Sequence, residues 1–202
     1  MDEVVTLIVD SYGGLDAKTK FIVHKSFVCH YSPAVKAVFE NGPRYPRSHR
    51  LYNTSSNTAQ LLVQWIYTQK VDSSKPKEEA AGELKTQSLV FVWALAERLQ
   101  IPRLQNAVIR ELQALRDRGE PVATLSLAYV YENFPPANPL RRLLVHHCAG
   151  GLSSWHTTRP EQLSKMMLAD LAMYQSKALQ KSKTAKDLRE STNLADYYVP
   201  EA

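Results

Sequence analysis

The feature that most constrains this chain is a short apolar strand running directly into two helices separated by a Ser-Pro step. Lys20-Phe21-Ile22-Val23-His24 is rich in β-branched and aromatic residues, which suit a pleated, half-buried strand. The chain continues straight into Lys25-Ser26-Phe27-Val28-Cys29-His30-Tyr31, and Ser32-Pro33 then starts a new helix. Ser accepts a backbone hydrogen bond as N-cap, and Pro fits the first helical position, where no amide donor is needed. The helix predicted over 33–40 carries Val35, Val38 and Phe39 at helical spacing, and Asn41-Gly42-Pro43 ends it.

Other elements fall on either side. Val4-Val5-Thr6-Leu7-Ile8-Val9 predicts a first strand, joined to the second by a long loop in which Gly13-Gly14 supply freedom for the turn. No strand, glycine-rich loop and helix in phosphate-binding order follows. A third strand is predicted around 48–52, feeding the capping cluster Asn53-Thr54-Ser55-Ser56-Asn57. Leu61, Leu62, Trp65 and Ile66 form one helical face that ends at Tyr67-Thr68-Gln69-Lys70. Residues 73–87, polar and broken by Pro76 and Gly82, predict an exposed, mobile insertion. Helices follow over Leu89–Ile101 and along the stripe Leu104, Val108, Leu112 and Leu115. Gly119-Glu120-Pro121 is the expected boundary. Beyond it, Leu127, Val130, Tyr131 and Phe134 predict a helix stopped by Pro135-Pro136, and Leu140, Leu143 and Leu144 another. Thr158-Arg159-Pro160-Glu161 reads as a capping box opening a helix with Leu163, Met167, Leu171 and Tyr174 on one face. The expected organisation is a mixed α/β domain over 1–118, an all-helical extension over 119–175, and a polar, Lys-rich, partly disordered tail over 176–202.

Composition narrows the function classes. With 44% hydrophobic and 22% charged residues the chain reads as globular, and no run of about 18 apolar residues suggests a membrane span. Met1-Asp2-Glu3 does not read as a secretory signal, so an intracellular setting, cytoplasmic or nuclear, is expected, with Cys29 and Cys148 as free, packed thiols. The formal charge of +5 is spread over Arg44, Arg47 and Arg50, Arg141 and Arg142, and the lysines from Lys177 to Lys186. No basic stripe dominates, so nucleic-acid binding through Lys177, Lys181, Lys183, Lys186 and Arg189 is kept only as the alternative function. His146-His147-Cys148, with His156, is the one cluster of reactive types. Adjacent helical residues do not face one another, and the spacing suits neither a Cys-His dyad nor a zinc knuckle. No enzyme activity, metal or cofactor is expected.

Four motifs in order resemble those of BTB/POZ domains, and more closely the fungal BTB proteins. They are Phe21-Ile22-Val23-His24-Lys25, Ser32-Pro33, Leu62-Val63-Gln64-Trp65-Ile66-Tyr67-Thr68, and the run from Leu95 through Ile101-Pro102 to Asn106. The resemblance covers residues 4–116. Tyr129–Asn133 and Leu140–Leu143 are similar to the region that follows this domain in fungal members. It implies a BTB/POZ-like α/β (α+β) fold, a small sheet of three or more strands flanked by helices, acting as a non-catalytic protein-interaction scaffold. His24, Lys25, Ser32, Pro33 and Tyr67 are the family-motif residues.

Family members commonly homodimerise, and many recruit a class-three cullin as ubiquitin-ligase adaptors. A dimer with exchanged N-terminal strands is not expected, since the first strand starts almost at Met1. The acidic residue that many members place near the basic residue at Lys25 falls on Glu3 or Val4, depending on register. The cullin pattern, a hydrophobic residue, any residue, then Glu, meets Tyr45-Pro46-Arg47, where Arg reverses the charge and weakens the cullin reading. The candidate docking surface is Val35, Val38 and Phe39 with Arg44, Tyr45 and Arg47, although core packing is the favoured reading of the three apolar residues.

Overall fold

The computed structural model describes residues 3–9, 19–41, 47–72, 83–120, 124–149, 163–180 and 193–201. Among them lie three strands and eight α-helices, an α+β fold with a helical extension. By packing, the chain divides into one unit of Met1–Lys75, Phe91–Val108 and Pro200–Ala202, and a second of Pro76–Val90 and Ile109–Val199. This division falls inside two helices, whereas the boundary read from sequence at Gly119 follows the second of them.

The first unit is built on β1 (Val4–Val9), β2 (Thr19–His24) and β3 (Ser48–Leu51), in the spatial order β2-β1-β3. β1 runs antiparallel to β2, with Val4 opposite His24 and Val9 opposite Thr19, and parallel to β3, with Thr6 beside Ser48. Alternation does the sorting: Val5, Leu7, Val9 and Val23 are buried, while Val4, Lys20 and Ile22 on the opposite face are exposed. Helices α1 (Lys25–Tyr31) and α2 (Pro33–Asn41) connect β2 to β3.

Ser32 manages the junction. Pro33 excludes helical geometry from the residue before it, and Ser32 is extended at φ −118° and ψ 101°. Its hydroxyl accepts from the Val35 N–H at 3.1 Å, capping α2. Helix α3 (Ser56–Thr68) is capped by Ser55, which accepts from the Thr58 N–H, and it ends where Gln69 turns left-handed at φ 56°. Phe39, Leu62, Trp65 and Ile66 complete the core beneath the sheet.

Val35 and Phe39 are 0% and 1% exposed, which withdraws them from the candidate docking surface. They lie one helical turn apart and fill the core, while Val38, between them, is half-buried. Arg47 is exposed just ahead of β3, where its carbonyl accepts from the Thr6 N–H at 2.9 Å. Arg44 and Tyr45, like Gly13-Gly14, lie outside the described residues.

Helix α4 (Glu83–Arg98) begins inside the stretch 73–87 read as an exposed insertion, and Thr86 is buried on the face that also carries Leu89 and Val90. Residues 73–82 lie outside the described residues. α4 ends in a left-handed Gln100 at φ 56°, with the Ile101 N–H reaching back to the Ala96 carbonyl at 2.8 Å, and Pro102 opens α5 (Pro102–Asp117).

In the second unit, α6 (Thr124–Asn133) stops before Pro135-Pro136, and Asn138 caps α7 (Pro139–Ala149) by accepting from the Leu140 and Arg141 N–H groups. α8 (Lys165–Gln180) starts from Ser164, which accepts from the Met167 N–H, and the capping box at 158–161 lies outside the described residues. The tail read as partly disordered carries a 3-10 turn, Leu194–Tyr197, whose Tyr197 is buried beside His146 of α7. Within the first unit, Glu201 accepts from Asn106 Nδ2 at 2.7 Å and lies 3.4 Å from Arg103.

Candidate protein-interaction surface

Three of the family-motif residues meet where β2 passes into α1. His24 closes β2 in an extended conformation, so its side chain stands on the outer face of the sheet, on the same side as Ile22 and opposite Val4. The last turn of α3 brings Tyr67 to this point. Its hydroxyl accepts from the His24 N–H at 3.0 Å and lies 2.9 Å from His24 Nδ1. Phe27, one turn into α1, packs its ring 5.3 Å from Tyr67 and 5.8 Å from His24. The result is an aromatic cluster at the surface rather than in the core, with Phe27 42% and Tyr67 41% exposed. Ile22 at 70% and Val4 at 48% extend it across the sheet.

A charge pair borders this patch. Lys25 Nζ lies 3.0 Å from Glu3 Oε2, and the Lys25 N–H donates to the Glu3 carbonyl at 2.8 Å. The Val4 to His24 pairing therefore resolves the register in favour of Glu3 as the acidic partner of Lys25. The hydrogen bond that Lys25 donates to the Glu3 carboxylate raises the Lys25 pKa above its ordinary value.

Ser32 and Pro33 are separate from this surface. Ser32 is buried and donates its hydroxyl proton to the Leu99 carbonyl at 2.6 Å, tying the α1–α2 junction to the end of α4. Sequence reasoning missed Val4, Ile22 and Phe27 as surface residues. The signal for Ile22 was present in the alternation of Lys20, Ile22 and His24 against Phe21 and Val23.

The second unit separates the reactive cluster noted in the sequence. His146 Nδ1 is hydrogen-bonded to Tyr174 Oη, whereas His147 Nε2 lies 2.9 Å from Gln113 Oε1. Burial, aided by Arg116 and His146, pushes the His147 pKa well below the ordinary range, and burial pushes the Cys148 thiol up to about 12. His156 lies outside the described residues, and among the described residues no three His, Cys, Asp or Glu side chains are grouped to hold a metal. Arg141, 2% exposed, anchors three helices: its Nη2 and Nε donate to Asp170 Oδ2 at 2.8 and 3.2 Å, and its guanidinium stacks 4.1 Å from the Tyr131 ring. Of the basic tail, Lys177 lies on α8, while Lys181, Lys183, Lys186 and Arg189 lie outside the described residues. No helix among the described residues is long and apolar enough to cross a membrane.

Comparison with curated proteins returned no match. The family model of the BTB/POZ domain matches residues 5–115, more than half of the chain, and encloses the strand-to-helix step, Ser32-Pro33, the Tyr67-Thr68 helix end and the Ile101-Pro102 step. Such domains mediate protein–protein association and are generally interaction modules rather than enzymes. With its β2-to-α1 surface, its Ser-Pro junction and this match together, the chain belongs to the BTB/POZ domain family.

Proposed function

We propose that the chain is a non-catalytic scaffold that pairs with a second copy of itself through the face carrying Glu3, Val4, Ile22, Lys25, Phe27 and Tyr67. The observation that carries this reading is the 3.0 Å Lys25–Glu3 pair set beside exposed apolar and aromatic side chains. A two-fold contact lays one patch on its own copy, so a single mixed surface supplies apolar area at the centre and charge at the rim. Light scattering coupled to size-exclusion chromatography tests it. The expected outcome is a dimer mass that falls to the monomer in Phe27→Glu and Ile22→Lys, both at exposed positions that leave the core intact. A monomer mass at every concentration overturns the reading.

The fungal subtype, the helical extension over 119–175 and a cytoplasmic or nuclear setting belong to the same proposal. They are supported by Tyr129–Asn133, by helices α6 to α8, and by Cys29 and Cys148 as free cysteines. A cullin-adaptor role is the weaker partner reading, because Arg47 stands where the family pattern has Glu.

A further inference from the structure

The second unit carries a surface that the self-association reading does not use. Helices α7 and α8 and the Leu194–Tyr197 turn enclose an open cleft of about 450 Å3, whose lining includes Arg142, Val145, Met173, Tyr174, Lys177 and Tyr197. Its only carboxylate among the lining residues, Asp170, is already committed: the same Oδ2 accepts from Arg141 and, at 2.9 Å, from the Tyr131 hydroxyl. Arg142 and Lys177 are exposed and form no ion pair among the described residues. Among its lining residues three cations stand against one carboxylate. Its apolar wall is accessible as well, since Met173 is 60% exposed.

The chain's own turn shows what chemistry this place accepts. The Leu194–Tyr197 turn sets the Tyr197 ring under the Arg142 guanidinium, 5.6 Å from the ring centroid, so an aromatic side chain is seated against a cationic helix face. We propose that the remaining cleft docks an acidic, aromatic-containing segment of a partner protein. Arg142 and Lys177 meet its carboxylates, and Val145 and Met173 receive an apolar side chain. Nucleic acid is the less suitable occupant, because two exposed cations beside an apolar wall offer few phosphate contacts. The inference is independent of self-association through the first unit.

Fluorescence anisotropy with the full chain tests it, using the labelled peptide EEDYFEED as probe, the basic peptide KKRYFKKR as control and a short DNA duplex as competitor. Expected are saturable binding of the acidic peptide alone, weakening with salt, and a loss of about tenfold or more in both Arg142→Glu and Lys177→Glu. Lys177→Glu is the decisive variant, since Arg142 also contacts Tyr197. Lys165→Glu, exposed at the start of α8, controls for overall charge. Absence of saturable binding, wild-type affinity in Lys177→Glu, an equal loss in Lys165→Glu, or displacement of the peptide by the duplex at lower concentration than by unlabelled peptide overturns the proposal. Chain mass measured on the same variants separates failure here from failure of self-association.

Discussion

The Ser32 hydroxyl donates to the Leu99 carbonyl at 2.6 Å while accepting from the Val35 N–H at 3.1 Å, so one buried side chain caps α2 and fastens it to the end of α4. Between them those two bonds use both halves of the hydroxyl's capacity. The Ser-Pro motif is therefore a tertiary clamp as well as a local helix start.

Replacing Ser32 by Ala strands a buried carbonyl and a buried N–H together. A loss of about 2 kcal/mol is expected, measurable as a lower urea midpoint at unchanged slope. Ser32→Thr keeps the hydroxyl and isolates the hydrogen bonds from the effect of the added methyl group.

Asp170→Ala and Arg141→Met remove the same pair but are expected to differ. Without Asp170, the buried Arg141 charge loses its partner, at a cost of about 3 kcal/mol. Met at 141 removes the buried charge and leaves Asp170, 28% exposed, able to hydrate, so the loss is smaller. Equal losses in urea titrations would contradict this asymmetry.

His147 and His49 both have pKa values lowered by burial. Below about pH 6.5 the unfolded chain binds protons that the folded chain refuses, so stability is full above that value and declines as pH falls. Each such histidine adds a slope of up to roughly 1.4 kcal/mol per pH unit. His147→Gln is expected to flatten the dependence between pH 7.5 and 5.5, whatever it does to stability at neutral pH. An unchanged slope would remove His147 from the account.

The two thiols are expected to react in sequence. Cys148 is buried with its thiol pushed up to about 12, whereas Cys29 is half-buried and raised less. A disulfide reagent at pH 8 should therefore label Cys29 in the folded protein and Cys148 only on unfolding.

What could be read in the sequence was what local rules decide. Val4–Val9, the Ser32-Pro33 start, the capping cluster over 53–57 and the Pro135-Pro136 stop each follow from a few neighbouring residues. What escaped depends on which element arrives to cover a face. Helical spacing put Val35 and Phe39 on one side of α2 but could not say that the side is filled by core. Thr86 and Tyr197 looked solvated because their neighbours in sequence are polar, yet both are buried, Tyr197 beside His146. The aromatic cluster of His24, Phe27 and Tyr67 needed β2, α1 and α3 to converge, and no spacing within any one of them announces that.

β1 is the middle strand of its sheet although it is the first to be synthesised. Its antiparallel neighbour follows promptly, but β3 emerges only after α1 and α2, some 40 residues later, which is roughly 2 to 8 s at about 5–20 residues per second. During that interval one border of β1 offers unpaired amides and carbonyls next to Val5, Leu7 and Val9. Recombinant yield should depend on translation speed and chaperone supply more than on the stability of the finished domain.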